Sequence, residues 1–135
     1  GNNHNIYKGK NSIFNAFCWH YDETKTLPEN SIVLSSNSMS DVQSLSFSRG
    51  DSSIWAVQYH PEFNPIWIAG LMKQRENILL TEKVFDSKKH FDKQYESFIN
   101  YQNKDEEKNI NIYKDIFDTK YHTLELANWI EELKN

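Results

Sequence analysis

The sequence predicts an α/β fold with its strands in the first half of the chain and its helices in the second. Short runs rich in β-branched and aromatic residues, bounded by turn residues, fill the stretch up to Glu62. Beyond it the apolar pattern changes to the helical period. One run, SIWAVQYH at 53–60, is apolar on both faces, as in sheets covered by helices on each side, yet almost nothing precedes residue 12 to supply a covering layer. The chain therefore reads as an α+β domain or as the second part of a larger layered α/β unit.

Each element has a local reason. Residues 1–12, GNNHNIYKGKNS, are polar, hold two of the four glycines, and are expected to form a loose lead-in without core. SIFNAFCWHYD at 12–22 carries the aromatic content of a strand, and TKTLPEN at 24–30 is a turn by composition. SIVLSSN at 31–37 is a short run of buried-strand type. In DVQSLSFSRGDS at 41–52, Gln43, Leu45 and Phe47 share one face and the serines the other, predicting a half-exposed strand with a Gly50-Asp51 turn behind it. With the 53–60 run that makes about four strands, the last of them near the middle of the complete sheet.

After Glu62, Asn64-Pro65 supplies a cap and a first-turn proline, and Ile68, Leu71, Met72, Arg75 and Leu79 recur at helical spacing. Phe91, Tyr95, Phe98 and Ile99 repeat the stripe, YQNKDEEKNIN at 101–111 reads as a polar loop, and Leu126, Trp129, Ile130 and Leu133 form a closing amphipathic helix. The expected organisation is a single partial domain over 1–135: lead-in at 1–12, core at 13–75, helical extension at 76–135.

A net charge of -4 and a pI near 5.7 offer nothing to attract nucleic acid or an anionic membrane. Apolar runs such as Ile78–Leu80 are too short to span a bilayer, and no basic segment followed by an apolar one opens the chain, so a cytoplasmic location is expected. The single cysteine, Cys18, excludes an internal disulfide and fits a reducing compartment. Gly at position 1 fits a tag remnant, a processed product or a piece of a longer chain.

Three groupings can carry chemistry. His60 and Glu62 stand two residues apart across Pro61 at a strand end, where both side chains can share a face. An imidazole held by a carboxylate can take a proton from a nucleophile and return it to a leaving amine. The alternative is a His and a Glu on a surface loop. His20 and Asp22 share a face in the same way, so His20, Asp22, His60 and Glu62 could form a metal site, against a structural His20 bonded to Asp22. Cys18 lies between Phe17 and Trp19 in the expected strand, where a thiol is buried and inert. Trp19, Trp55, Trp67 and Trp129 read as core or pocket walls.

The succession CWHYDE, LPENSIVLSSN, VQSLSF and IWAVQYHPEF resembles the C-terminal half of class I glutamine amidotransferases, especially small members similar to the amidotransferase domain of GMP synthase. The likeness covers about residues 13–75. It implies the C-terminal part of a flavodoxin-like domain and a cysteine-dependent glutaminase, in which a thiolate attacks the glutamine carboxamide and ammonia leaves. It implies no cofactor and no metal. His60 matches the general base and Glu62 its orienting carboxylate. Trp19, His20 and Tyr21 match a segment that holds glutamine, with Tyr21 standing where many members have Gly. The family's nucleophile lies in an earlier Gly-x-Cys-x-Gly turn, and no cysteine here is flanked in that way.

The leading reading is thus a part of an amidotransferase-like enzyme, partnered by glutamine and by an N-terminal half or separate subunit carrying the nucleophile. A noncatalytic remnant serving as a binding or structural module is the alternative, and a His/Asp/Glu metal domain the third. Sheet surface left uncovered makes self-association an expectation. Since a positioned base contributes about 10²- to 10⁴-fold in partnership with a nucleophile, the isolated chain is expected to show no glutaminase turnover. An ammonia-release assay checks this, and release abolished by Cys18→Ser would make Cys18 the nucleophile instead.

Overall fold

The structure is a computed structural model that describes residues 3–101 and 114–134. It is a mixed α/β fold with strands in the first half and helices in the second, compatible with the C-terminal part of a flavodoxin-like domain. The chain divides into two compact units, Gly1–Glu62 with Lys120–Asn135, and Phe63–Thr119. Most of the 101–111 segment lies outside the described residues.

In the first unit the strands are β1 (Ile32–Ser35), β2 (Ser44–Arg49) and β3 (Ser52–Val57). Among the described residues they form one antiparallel sheet in the order β1-β2-β3. Gly50-Asp51 joins β2 to β3, with Arg49 opposite Ser52. Gly50 takes φ +58°, the left-handed conformation that tight hairpin loops require and glycine adopts without strain. β1 pairs with β2 across a bulge between Val33 and Ser35.

Several expectations are corrected here. The 12–22 run is no strand: it has extended, irregular backbone, and Phe17 O accepts from His60 N at 2.7 Å. Strand-forming residues set the extended shape, but a strand also needs a ladder. The 53–60 run stops as a strand at Val57 and not at His60, and among the described residues it pairs with β2 alone. Gln58 N bonds Gln43 O at 2.8 Å, then His60 N bonds Phe17 O, so the chain changes partner between those residues. β1 exposes Ile32 and Val33 and buries Leu34, as suits a strand at an edge of that sheet. Ser44, expected on an exposed serine face, is buried.

Burial of Ser44 follows from the lead-in, which is not loose. Asn5–Tyr7 forms a 3₁₀ turn capped by His4, whose Nδ1 accepts from Ile6 N. Ile6 and Tyr7 are only 3% and 5% exposed and form a core cluster with Leu34 and Tyr59, against which Phe14, Ala16, Trp55 and Val57 pack. Tyr7 sets its hydroxyl 2.5 Å from Ser44 Oγ and 2.9 Å from Ser35 Oγ.

The closing helix α6 (Leu124–Glu132) packs on the 3₁₀ turn, and Asn128 Nδ2 donates to Ile6 O and Lys8 O. Its apolar stripe of Leu126, Trp129, Ile130 and Leu133 is exposed, while Glu125 on the other face is buried. Glu125 Oε1 receives Lys10 Nζ at 2.5 Å and the Tyr59 hydroxyl at 2.6 Å. The amphipathic pattern identified the helix; this buried carboxylate, matched by a lysine over a hundred residues away, decided which face turned inward.

The second unit holds α1 (Pro65–Gln74), α2 (Glu76–Thr81), α3 (Lys88–Ile99) and α4 (Lys114–Phe117); α5 (Thr119–His122) begins at its last residue. Asn64 caps α1 as expected, its Oδ1 accepting Trp67 N at 2.9 Å. The stripe predicted as continuous breaks at Arg75, which ends α1 and precedes α2. Ile68, Met72, Leu79, Phe91 and Phe98 are buried, and α1 packs against α3. Phe63 and Trp67 stack with ring centroids 5.8 Å apart. Trp67 and Trp129 are exposed at 61% and 47%, so neither is a core residue, whereas Trp19 and Trp55 are half-buried.

The Lys10–Glu125 pair is almost fully buried, 2% exposed on each side chain. Removing one charge leaves the other in a poorly hydrated site, so Lys10→Met is expected to cost about 3–5 kcal/mol, and Lys10→Met with Glu125→Leu to recover part of that loss. Urea denaturation of the parent and both variants checks the order.

Candidate functional site

The geometry begins at the change of ladder partner. Past Val57 the chain bends at Gln58 and Tyr59 and turns at Pro61 and Glu62, which leaves Tyr59 and Pro61 buried, His60 partly exposed and Glu62 exposed. His60 Nδ1 lies 2.7 Å from Glu62 Oε1, with the two side chains 29% and 52% exposed. In the Nδ1–H tautomer His60 donates this hydrogen bond to the Glu62 carboxyl oxygen. The pair expected from the spacing is thus brought together as a hydrogen-bonded unit.

The 17–22 segment is tied alongside. Besides the bond between Phe17 and His60, Gln58 Nε2 donates to Asp22 O at 3.0 Å. His20 is exposed and its Nδ1 donates to the main-chain oxygen of Asp22 at 2.8 Å, so the structural bond predicted between them goes to the backbone and not to the carboxylate. That leaves His20 Nε2 to accept from Gln43 Nε2 at 3.3 Å. Tyr21 is 81% exposed and Trp19 half-buried. Among the described residues no three His, Cys, Asp or Glu side chains converge as metal ligands, so His20, Asp22, His60 and Glu62 do not form the metal site considered as the third reading.

Cys18 is not buried in a strand. It is exposed on irregular backbone, with its thiol 3.8 Å from Gln43 Oε1. Packing around the sulfur nevertheless strips enough water to push the thiol pKa up. A cysteine nucleophile is normally activated in the opposite direction. Gln43, 4% exposed, joins the two groups by accepting from Cys18 and donating to His20. Sequence reasoning placed it on a strand face without a role. The available signal was an amide on an otherwise apolar face, which must find partners when buried.

A cavity of about 480 Å³ opens in this same unit, bordered by Tyr7, Phe14, Cys18, Ser35, Gln43 and Tyr59 among others. Its polar wall is made of hydroxyls and amides.

Behind the dyad, His122 is 5% exposed and its Nδ1 donates to Pro61 O at 2.8 Å. Tyr59 is pushed far up from the usual phenol range by burial first and by the Glu125 carboxylate second, and so stays a donor. Neither His122 nor Glu125 was singled out from the sequence. No helix among the described residues is long and apolar enough to cross a membrane.

No family model matches the chain, and no solved structure matches it. Among curated proteins it is similar to the γ-glutamyl-L-1-hydroxyisopropylamide hydrolase of a Pseudomonas species, 25% identical over 138 aligned positions that take in 98% of this chain and 46% of the relative. The chain spans about half the length of that relative. It is therefore a distant homologue of a hydrolase named for a γ-glutamyl amide.

The raised thiol has a direct consequence. Alkylation of Cys18 by iodoacetamide is expected to be slow at neutral pH and to accelerate with a midpoint above the ordinary thiol range, because only the thiolate reacts and burial disfavours it. Rates followed by mass spectrometry from pH 6 to 10.5 check this; a midpoint near neutrality would mark an activated thiol.

Proposed function

We propose that this chain is the C-terminal half of a class I glutamine amidotransferase-like hydrolase acting on γ-glutamyl amides, with glutamine as the simplest substrate. The observation that carries the reading is the His60 Nδ1 to Glu62 Oε1 contact at 2.7 Å. It lies within a chain that aligns over 98% of its own length with 46% of a γ-glutamyl amide hydrolase, and that relative's name supports the substrate class.

In this reading the nucleophilic cysteine comes from an amino-terminal segment or a partner polypeptide. His60 Nε2 takes the thiol proton as sulfur attacks the γ-carbonyl carbon. The imidazolium, steadied by Glu62, then protonates the departing ammonia or amine as the carbon–nitrogen bond breaks and a thioester forms. Water, deprotonated by the same nitrogen, cleaves the thioester to release glutamate and the thiol. Trp19, His20 and Tyr21 line the glutamine side, and His20, already bonded to Gln43 and Asp22 O, holds substrate and takes no part in proton transfer. The surroundings of Cys18 favour a noncatalytic role for that thiol.

The test supplies the amino-terminal half, carrying a Gly-x-Cys-x-Gly turn, by fusion or co-expression. Hydrolysis of glutamine or of a γ-glutamyl alkylamide is expected to appear. His60→Ala is expected to remove at least about 10²-fold of kcat, and Glu62→Gln up to about 10⁴-fold, the worth of an orienting carboxylate in a comparable triad. His20→Ala is expected to raise KM with little change in kcat. Activity that survives His60→Ala within about threefold, against the 10²-fold expected for a lost base, overturns the dyad. A folded, complete assembly with no activity at all supports the remnant reading.

A further inference from the structure

We infer that His122 and Glu125 are positioning residues for the His60–Glu62 dyad, a clamp supplied by the carboxyl-terminal segment; the inference rests on the reading above that the dyad is the proton-transfer pair. The turn at 59–62 places Tyr59 and Pro61 inward, both buried, and leaves His60 and Glu62 outward, partly exposed and exposed. Both inward positions are held from one stretch of chain: Tyr59 donates its hydroxyl proton to Glu125 Oε1 at 2.6 Å, and Pro61 O accepts from His122 Nδ1 at 2.8 Å. The outward positions are His60 and Glu62, 2.7 Å apart. Fixing the backbone at 59 and 61 fixes where the side chains at 60 and 62 leave it, since a proline lies between them and the dihedrals left to move are few.

The character of the clamp residues argues against simple filling of the core. His122 is buried, with Nε2 making no hydrogen bond among the described residues, so its bond to Pro61 O is the interaction an apolar side chain of similar size could not supply. Glu125 is likewise buried, with Oε2 making no hydrogen bond among the described residues and Oε1 shared between Tyr59 and Lys10. A carboxylate is expensive in such a place. What it secures here is one orientation of the Tyr59 ring, on the residue next to His60.

The segment that carries the clamp is itself anchored. Asn11 N donates to Tyr121 Oη at 2.8 Å, and Asn128 Nδ2 donates to Ile6 O and Lys8 O at 2.9 Å each. Bonds thus flank His122 and Glu125 on both sides, and the clamp cannot swing with the turn it holds.

The ring nitrogens of His60 report the clamp directly and need no substrate. In the full chain, long-range nitrogen–proton spectra of the His60 ring are expected to show one dominant tautomer with the proton on Nδ1. His122→Phe should move that pattern toward averaging of two tautomers. His122→Asn, whose side-chain amide donor sits where Nδ1 does, should restore it. Tyr59→Phe, which removes one hydroxyl and keeps the ring, reads the Glu125 arm independently and should also loosen the pattern, even where His122→Phe does not fold. Folded variants that melt lower but keep the parent tautomer pattern would show the clamp to be structural only and overturn the inference. Glu62→Gln separates the two readings: if it leaves the His60 nitrogens unchanged, the dyad itself is wrong, whereas a response to Glu62→Gln and none to the clamp variants rejects the clamp alone. In the reconstituted enzyme, His122→Phe is expected to lower kcat about tenfold or more while KM holds, the signature of a misaligned base.

Discussion

The Tyr59 hydroxyl is the point on which the sheet unit depends. It lies 2.6 Å from Glu125 Oε1 and 3.2 Å from the Tyr7 hydroxyl, and its single proton goes to the carboxylate as the stronger acceptor. Through Tyr7 the chain of contacts runs on to Ser35 and Ser44, and through Glu125 to Lys10. The lead-in, β1, β2, the dyad turn and α6 therefore meet at one buried polar node. Such a node is a strong constraint because each member left unpaired would carry the full cost of lost hydration. It also explains why Ser44 is buried on a strand face that otherwise reads as solvent-facing.

From that node the dyad follows by geometry. β3 leaves β2 after Val57, and the chain turns to pair with the 14–20 segment through Phe17 and His60. The residue that makes this exchange of partners is also the proposed base. A strand end released from its ladder becomes a connecting segment, the kind of backbone that commonly carries functional side chains. The inward grip on Tyr59 and Pro61 supplies the rigidity that the lost ladder would have given.

Much of this was legible in the sequence, and the limits have physical causes. The α1 start was visible because Asn64 and Pro65 act locally, and the β2–β3 turn because Gly50 answers a local backbone demand. The His60–Glu62 contact was readable from spacing alone, since both residues belong to one short segment. What failed depended on distant partners. The 12–22 run has strand composition but no ladder, the lead-in looked loose because Tyr7 finds its partners at Ser35, Ser44 and Tyr59, and the α6 stripe faces out because a buried Glu125 matches Lys10. Gln43 shows the same limit at the site, its partners being Cys18 and His20. No window of sequence contains both ends of such contacts.

The joining of Lys10 to Glu125, 115 residues apart, bears on how the chain acquires its shape. Contacts of such separation demand closure of a long loop before they return any stabilisation, and proteins dominated by them fold slowly. During synthesis, Tyr59 and Pro61 emerge well before His122 and Glu125, the residues of α5 and α6 that grip them. The dyad turn must then wait, ungripped, for about sixty further residues to follow it out of the ribosome, so its final geometry is a late event in folding.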